Sequence, residues 1–116
     1  MKFSNDKPIF IQLAQIIEGD IVRGKYLTNE KLPSVRELAL FYSINPNTVQ
    51  KALQLLEEDG LIVTDRTNGK YVCENLSLIE SQKTNIIKQE VGLFFDKMKA
   101  LGLTLEEIKE IINKER

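Results

Sequence analysis

The apolar period of this chain changes at Gly60, and that change restricts the fold more than any other feature. Before it, branched and apolar residues recur at three- and four-residue intervals. After it, LIVTDRTNGKYVC (61–73) is rich in β-branched and aromatic residues around Asn68-Gly69. The first pattern belongs to amphipathic helices, and the second to a two-stranded ribbon closed by a tight turn. A mainly α fold with one small β-hairpin follows.

The helix limits are well marked. Pro8 stands in front of Ile9, Leu13, Ile16, Ile17 and Ile21, and Gly24 follows, which predicts a first helix over 8–23. Ser34 and Glu37 form a capping-box pattern that opens a short second helix from Val35 to about Tyr42, with Leu38, Ala39 and Phe41 expected to face inward. Asn45 caps a third helix that starts at Pro46, whose missing N–H costs nothing at the first helical position. It ends near Asp59, with Gly60 suited to a left-handed C′ position. Strands are expected over Leu61–Thr64 and Tyr71–Cys73. The pattern shifts again near Glu74–Ser77, so we expect two regions, 1–75 and 76–116. The second holds a long amphipathic helix over 78–101, a break at Gly102, and a last helix opened by the Thr104/Glu107 capping box and running to about Lys114.

Composition removes several classes of function. With 42% apolar and 28% charged residues, the chain is an ordinary globular one. No apolar run approaches the roughly 18 residues a membrane span needs, and MKFSNDKPIF lacks the apolar core of a signal peptide. The sequence has no histidine and one cysteine, Cys73. An internal disulfide, an imidazole base and a Cys–His nucleophile are therefore excluded, no metal site or cofactor is expected, and a reducing cytoplasm fits. Cys73 reads as a small apolar strand residue. We do not expect an enzyme.

The stretch SINPNTVQKAL (43–53) needs a different explanation. One polar residue suffices to cap a helix, yet Asn45, Asn47 and Thr48 crowd this tip, and Gln50, Lys51 and Gln54 continue away from the apolar stripe Val49, Ala52, Leu53, Leu56. Two short helices, a tight turn and then a ribbon is the order of a winged helix-turn-helix. Ala39, Ser43 and Val49 stand at offsets 0, 4 and 10 within it: a small residue admitting close approach, the turn, and a branched residue locking the helices together. Ser43 occupies a position where glycine is usual, so the turn is expected either to carry slight strain or to take a different backbone.

These segments resemble the GntR family of bacterial transcription regulators. The resemblance runs from PIFIQLAQIIEGDIVRGKY (8–26) through KLPSVRELA (31–39) and INPNTVQKALQLLEEDGLI (44–62) to Gly69-Lys70-Tyr71-Val72; the NPNTV form with a short C-terminal region looks like its YtrA subfamily. The resemblance implies a sequence-specific DNA-binding regulator, a repressor by expectation, bound as a homodimer to a palindromic operator, with the regulated operon encoding a membrane transporter by analogy. It also implies roles. Ser34 and Arg36 match an LPS-x-R element that touches the DNA backbone, and Thr48 matches a phosphate-bonding position. Asn47 and Gln50 are suited to reading adenine edges and Lys51 to neutralising a phosphate. Arg66, Asn68, Gly69 and Lys70 form the wing, although Thr67 and Lys70 depart from the family's glycine and threonine. Pro46 and Gln50 stand where many relatives carry arginine, so bidentate guanine readout there is not expected.

The net charge of −1 and pI near 5.6 argue against a polyanionic partner unless charge is placed locally. Lys31, Arg36, Lys51, Arg66 and Lys70 all fall on elements expected to approach DNA, with Glu57, Glu58 and Asp59 at the far end of the third helix. In the C-terminal region, Ile87, Val91, Phe94, Met98, Leu101, Leu105, Ile108 and Ile112 follow four-three spacing, and Phe95, Ile86 and Ile111 widen the stripe. So wide an apolar face in two helices must meet something, and a symmetric dimer meets the need. The rival reading is a winged helix that docks on another protein through its polar helix, without specific DNA binding. The sequence fixes neither the operator nor any small-molecule effector.

Overall fold

The computed structural model describes residues 3–115. In chain order it holds α1 (Ile9–Val22), α2 (Val35–Tyr42), α3 (Pro46–Glu58), β1 (Ile62–Asp65), β2 (Gly69–Val72), α4 (Leu76–Ala100) and α5 (Leu105–Lys114). Two compact units divide the chain, one ending at Lys83 and the other beginning at Thr84. The division falls inside α4, whose first residues Leu78 and Ile79 join the apolar core of the first unit.

That core is built from the stripes the periodicity predicts. Leu13 and Ile17 of α1, Leu38 and Ala39 of α2, Val49, Leu53 and Leu56 of α3, and Leu61, Ile62 and Val72 around the hairpin are all buried. Ala39 and Val49 are both in it, as the helix-turn-helix offsets require. Phe41 is not: its side chain is 74% exposed. In so short a helix the inward stripe is Val35, Leu38, Ala39 and Tyr42, and Phe41 lies beside it.

The turn between α2 and α3 shows the strain expected of Ser43, which sits in the left-handed region at φ 56°, ψ 49°. An L-residue there costs roughly 1–2 kcal/mol, part of which glycine returns as unfolded-state entropy. We therefore expect Ser43→Gly to raise stability by about 0.5–1 kcal/mol in chemical denaturation, with duplex affinity unchanged.

The hairpin pairs Ile62 with Val72, Val63 with Tyr71, Thr64 with Lys70 and Asp65 with Gly69. Residues 66–68 thus form a three-residue loop, one longer than the tight Asn-Gly turn expected. Asp65 explains the difference. Its Oδ1 accepts from the Thr67 amide at 2.9 Å and the Thr67 hydroxyl at 2.8 Å, and its Oδ2 accepts from Asn68 Nδ2 at 3.2 Å. Gly69, at φ 108°, closes the loop. The chain before α2 runs along the other side of β2: Leu32 N donates to Lys70 O at 2.9 Å, and Val72 N donates to Glu30 O at 2.9 Å. β2 is therefore bonded on both edges.

In the second unit, α4 continues to Ala100, Gly102 breaks the helix, and Thr104 and Glu107 cap α5 reciprocally. Among its described residues only Ile108 is buried. Phe95 and Met98 are half-buried, and Phe94 and Phe95 meet edge to face at 5.6 Å. Ile87, Val91, Phe94, Leu101, Leu105 and Ile112 remain exposed. Ile108 is thus already covered in the single chain and cannot belong to an open face.

Candidate nucleic-acid interface

Three elements of the first unit present polar side chains to one side. Packing fixes the orientation of α3: Val49, Ala52, Leu53 and Leu56 are buried, which leaves Asn47, Gln50, Lys51 and Gln54 exposed on the opposite face. Its N-terminus is capped as expected, with Asn45 Oδ1 accepting from the Asn47 amide at 2.7 Å. The cap uses the oxygen of Asn45 and leaves its amide hydrogens free for an acceptor. Thr48 is half-buried behind the tip.

At the start of α2 the capping box is complete. Ser34 Oγ accepts from the Glu37 amide at 3.1 Å, and Glu37 Oε1 accepts from the Ser34 amide at 2.9 Å. These bonds hold the Glu37 carboxyl below the usual carboxylate range. Ser34 is left with its hydroxyl proton to offer a phosphate. Arg36, one turn on and exposed, makes no hydrogen bond or ion pair with any described residue. Its guanidinium is free to point outward.

The wing completes the arrangement. Ser34 and Gln50 share a cleft of about 340 Å³ with Lys31, Arg66, Asn68 and Lys70. Arg66 is exposed and makes no hydrogen bond or ion pair among the described residues. Gly69 contributes loop geometry rather than a contact group. Arg36, Asn45, Asn47, Thr48 and Lys51 lie outside this cleft, on or next to the α3 tip and the α2 start.

Two predicted cations are not free. Lys70 Nζ, expected on DNA, instead donates to Glu57 Oε1 of α3 and to Thr64 Oγ1 at 2.9 Å, and its side chain is only 19% exposed. The Thr64 hydroxyl donates in turn to Glu57 Oε2 at 2.8 Å. The physical reason is register: Thr64 and Lys70 are cross-strand partners, and the end of α3 lies against β1. Lys51 Nζ lies 5.8 Å from the centroid of the Phe10 ring on α1, a cation–π distance that steadies the ammonium without neutralising it. Phe10, Thr64 and Glu57 were missed as site residues because each acts through a partner distant in sequence.

The wing loop also carries an electrostatic signature. The Thr67 amide, then the Thr67 hydroxyl and the Asn68 side chain, hold the Asp65 carboxyl down to about 2, from an ordinary value of 3.8. A depressed carboxyl contributes order above its unfolded value and loses that contribution as pH falls through the folded one. The Asp65 carboxyl carbon should therefore titrate near 2 by NMR, and the Thr67 amide shift should follow it between about pH 4 and 2. A midpoint at the ordinary value would show that these loop bonds are absent in solution.

A helix pair joined by a tight turn, a wing behind it and a polar face opposite the core define a winged helix-turn-helix of the type that carries DNA-binding side chains. Residues 11–72 match the bacterial regulatory proteins of the gntR family, and the chain belongs to that family. It is 41% identical over 107 residues to the HTH-type transcriptional repressor YtrA of Bacillus subtilis, covering 90% of this chain and 82% of YtrA. Among solved structures, a GntR family transcriptional regulator from Listeria monocytogenes superposes with a TM-score of 0.91 at 40% identity, covering 97% of this chain and 98% of that one. The DNA-binding domain of AraR in complex with operator ORX1 matches 62% of this chain and 93% of its own, with a TM-score of 0.59 at 26% identity. The chain is a helix-turn-helix regulator by family, and nothing in that family role is enzymatic.

Proposed function

We propose that this chain is a cytoplasmic repressor that binds a palindromic operator as a homodimer. The observation that carries the reading is the outward polar face shared by the α2 start, the α3 tip and the wing, held in place by a core on the reverse side of the same elements. Asn47 and Gln50 are the base-reading candidates on α3, with Lys51, Arg36, Ser34 and Thr48 on the backbone and Arg66 and Asn68 from the wing. The relation to YtrA supports the repressor role, and the operator-bound AraR domain supports DNA as the ligand. The exposed apolar side chains of the second unit support self-association: Ile87, Val91, Phe94, Leu101, Leu105 and Ile112 recur at helical spacing and are left open to a partner. Two copies related by a two-fold axis would set two α3 tips on successive turns of a duplex.

The test is affinity against salt. An operator duplex obtained by selection from a random pool should be bound with log K falling steeply as log salt rises, by about 0.9 per neutralised phosphate. Arg36→Ala should weaken operator binding by about 1–3 kcal/mol and flatten that slope by about one, with the melting temperature unchanged. Affinity that is flat with salt, or equal for every duplex, would favour a protein-docking module instead. A variant that binds normally but melts earlier would reassign Arg36 to structural support.

A further inference from the structure

Glu57 is the feature the DNA reading leaves unexplained. It places a carboxylate at the base of the wing, beside a surface meant for a polyanion, and it lies half-buried three residues beyond Gln54 on α3. Among the described residues that carboxylate has two hydrogen-bond partners, Lys70 Nζ on Oε1 and the Thr64 hydroxyl on Oε2. Lys70 also reaches Thr64, so the three side chains close a ring that joins the end of α3 to both strands of the wing. Both bonds keep the Glu57 carboxyl ionised, with the Lys70 contact the larger cause of its lowered titration.

Resting on the DNA reading above, we propose that Glu57 is a positioning residue that withholds Lys70 from the nucleic-acid backbone and thereby limits sequence-independent binding. The charge logic is direct. A free lysine on the wing would neutralise one phosphate on any duplex, whatever its sequence. Paired with Glu57, the lysine side chain 19% and the glutamate side chain 34% exposed, it adds no net charge to the interface and serves to hold the wing against α3. Arg36 and Arg66, which make no ion pair among the described residues, stand nearer the tips of their elements, where contact also depends on the groove being correctly engaged.

The experiment compares Glu57→Ala, Lys70→Met and the double variant with Glu58→Ala, which removes an exposed neighbouring carboxylate that pairs with no described residue. Each protein is titrated with a random-sequence duplex across a salt series from about 50 to 200 mM, after its melting temperature has been checked. Glu57→Ala should steepen the salt slope by about one and tighten random-duplex binding roughly tenfold near 0.1 M salt. Lys70→Met should leave the slope unchanged, the double variant should return to the wild-type slope, and Glu58→Ala should leave it where it was. A slope that flattens by about one in Lys70→Met would show that the lysine already contacts phosphate and would overturn the proposal, as would identical behaviour of Glu57→Ala and Glu58→Ala. The pairing is read separately without DNA. The Glu57 carboxyl midpoint should rise toward the ordinary glutamate range in Lys70→Met, and an unmoved midpoint would overturn the pairing alone. Wild-type protein with no salt-dependent duplex binding would instead overturn the DNA reading, and this role of Glu57 with it.

Discussion

Under the proposed homodimer, Phe94→Asp is expected to sediment as a monomer at concentrations where the unaltered protein sediments as a dimer, and to lose operator binding with it. Phe94 sits at the middle of the exposed stripe, 40% exposed, between Val91 on α4 and Leu101 just past its end. A buried aromatic anchor of an interface is worth roughly 2–4 kcal/mol, and placing an unpaired carboxylate in the same spot adds a desolvation cost. The dimer dissociation constant should therefore rise by at least about a hundredfold. Because the side chain is already partly solvent-exposed in the single chain, the substitution should leave helical content and the first unit's melting intact. Loss of operator binding follows because one half-site contact is weak and two are joined through the pair. An unaffected dimer would place the interface elsewhere.

Leu53→Ala is expected to cost about 3 kcal/mol of stability and to lower the melting temperature by roughly 10–20 °C. Leu53 is 1% exposed and belongs to the buried stripe of α3 that faces α1 and α2. Its removal leaves a void directly behind the exposed polar face of α3, so, if that face meets DNA as proposed, duplex affinity should fall with temperature earlier than in the parent. Differential scanning calorimetry alongside duplex binding at two temperatures measures both. A loss under about 1 kcal/mol would mean that the three helices close around the gap.

Much of this was legible from the chain itself, for physical reasons that can be named. Capping chemistry is local, so Ser34 with Glu37 and Thr104 with Glu107 announced α2 and α5, and the reciprocal bonds are present. Asn45-Pro46 likewise gave the start of α3. Periodicity gave the buried stripes because helix faces must alternate with core and solvent. What the chain did not disclose was long-range. The three-residue wing loop depends on Asp65 reaching forward to Thr67 and Asn68, which outcompetes the tight Asn-Gly turn. The capture of Lys70 by Glu57 joins residues 13 apart through a strand register that no local pattern encodes. Phe41 was misplaced because an eight-residue helix offers too few turns for its face to be read. Ile108 was assigned to the open stripe because spacing alone cannot tell which apolar residues of α5 the single chain already covers.

The double bonding of β2 has a consequence for how such a protein can vary. With Thr64 on one side and Leu32 on the other, Lys70 cannot slide along its neighbours. A one-residue insertion within either strand would turn Lys70 and Tyr71 to opposite faces. Residues 66–68 lie outside the ladder and are held instead by the bonds of Thr67 and Asn68 to Asp65. Under the proposed DNA reading, rewriting that loop together with Asp65 is the route to a new wing contact, while the ribbon beneath it must keep its count.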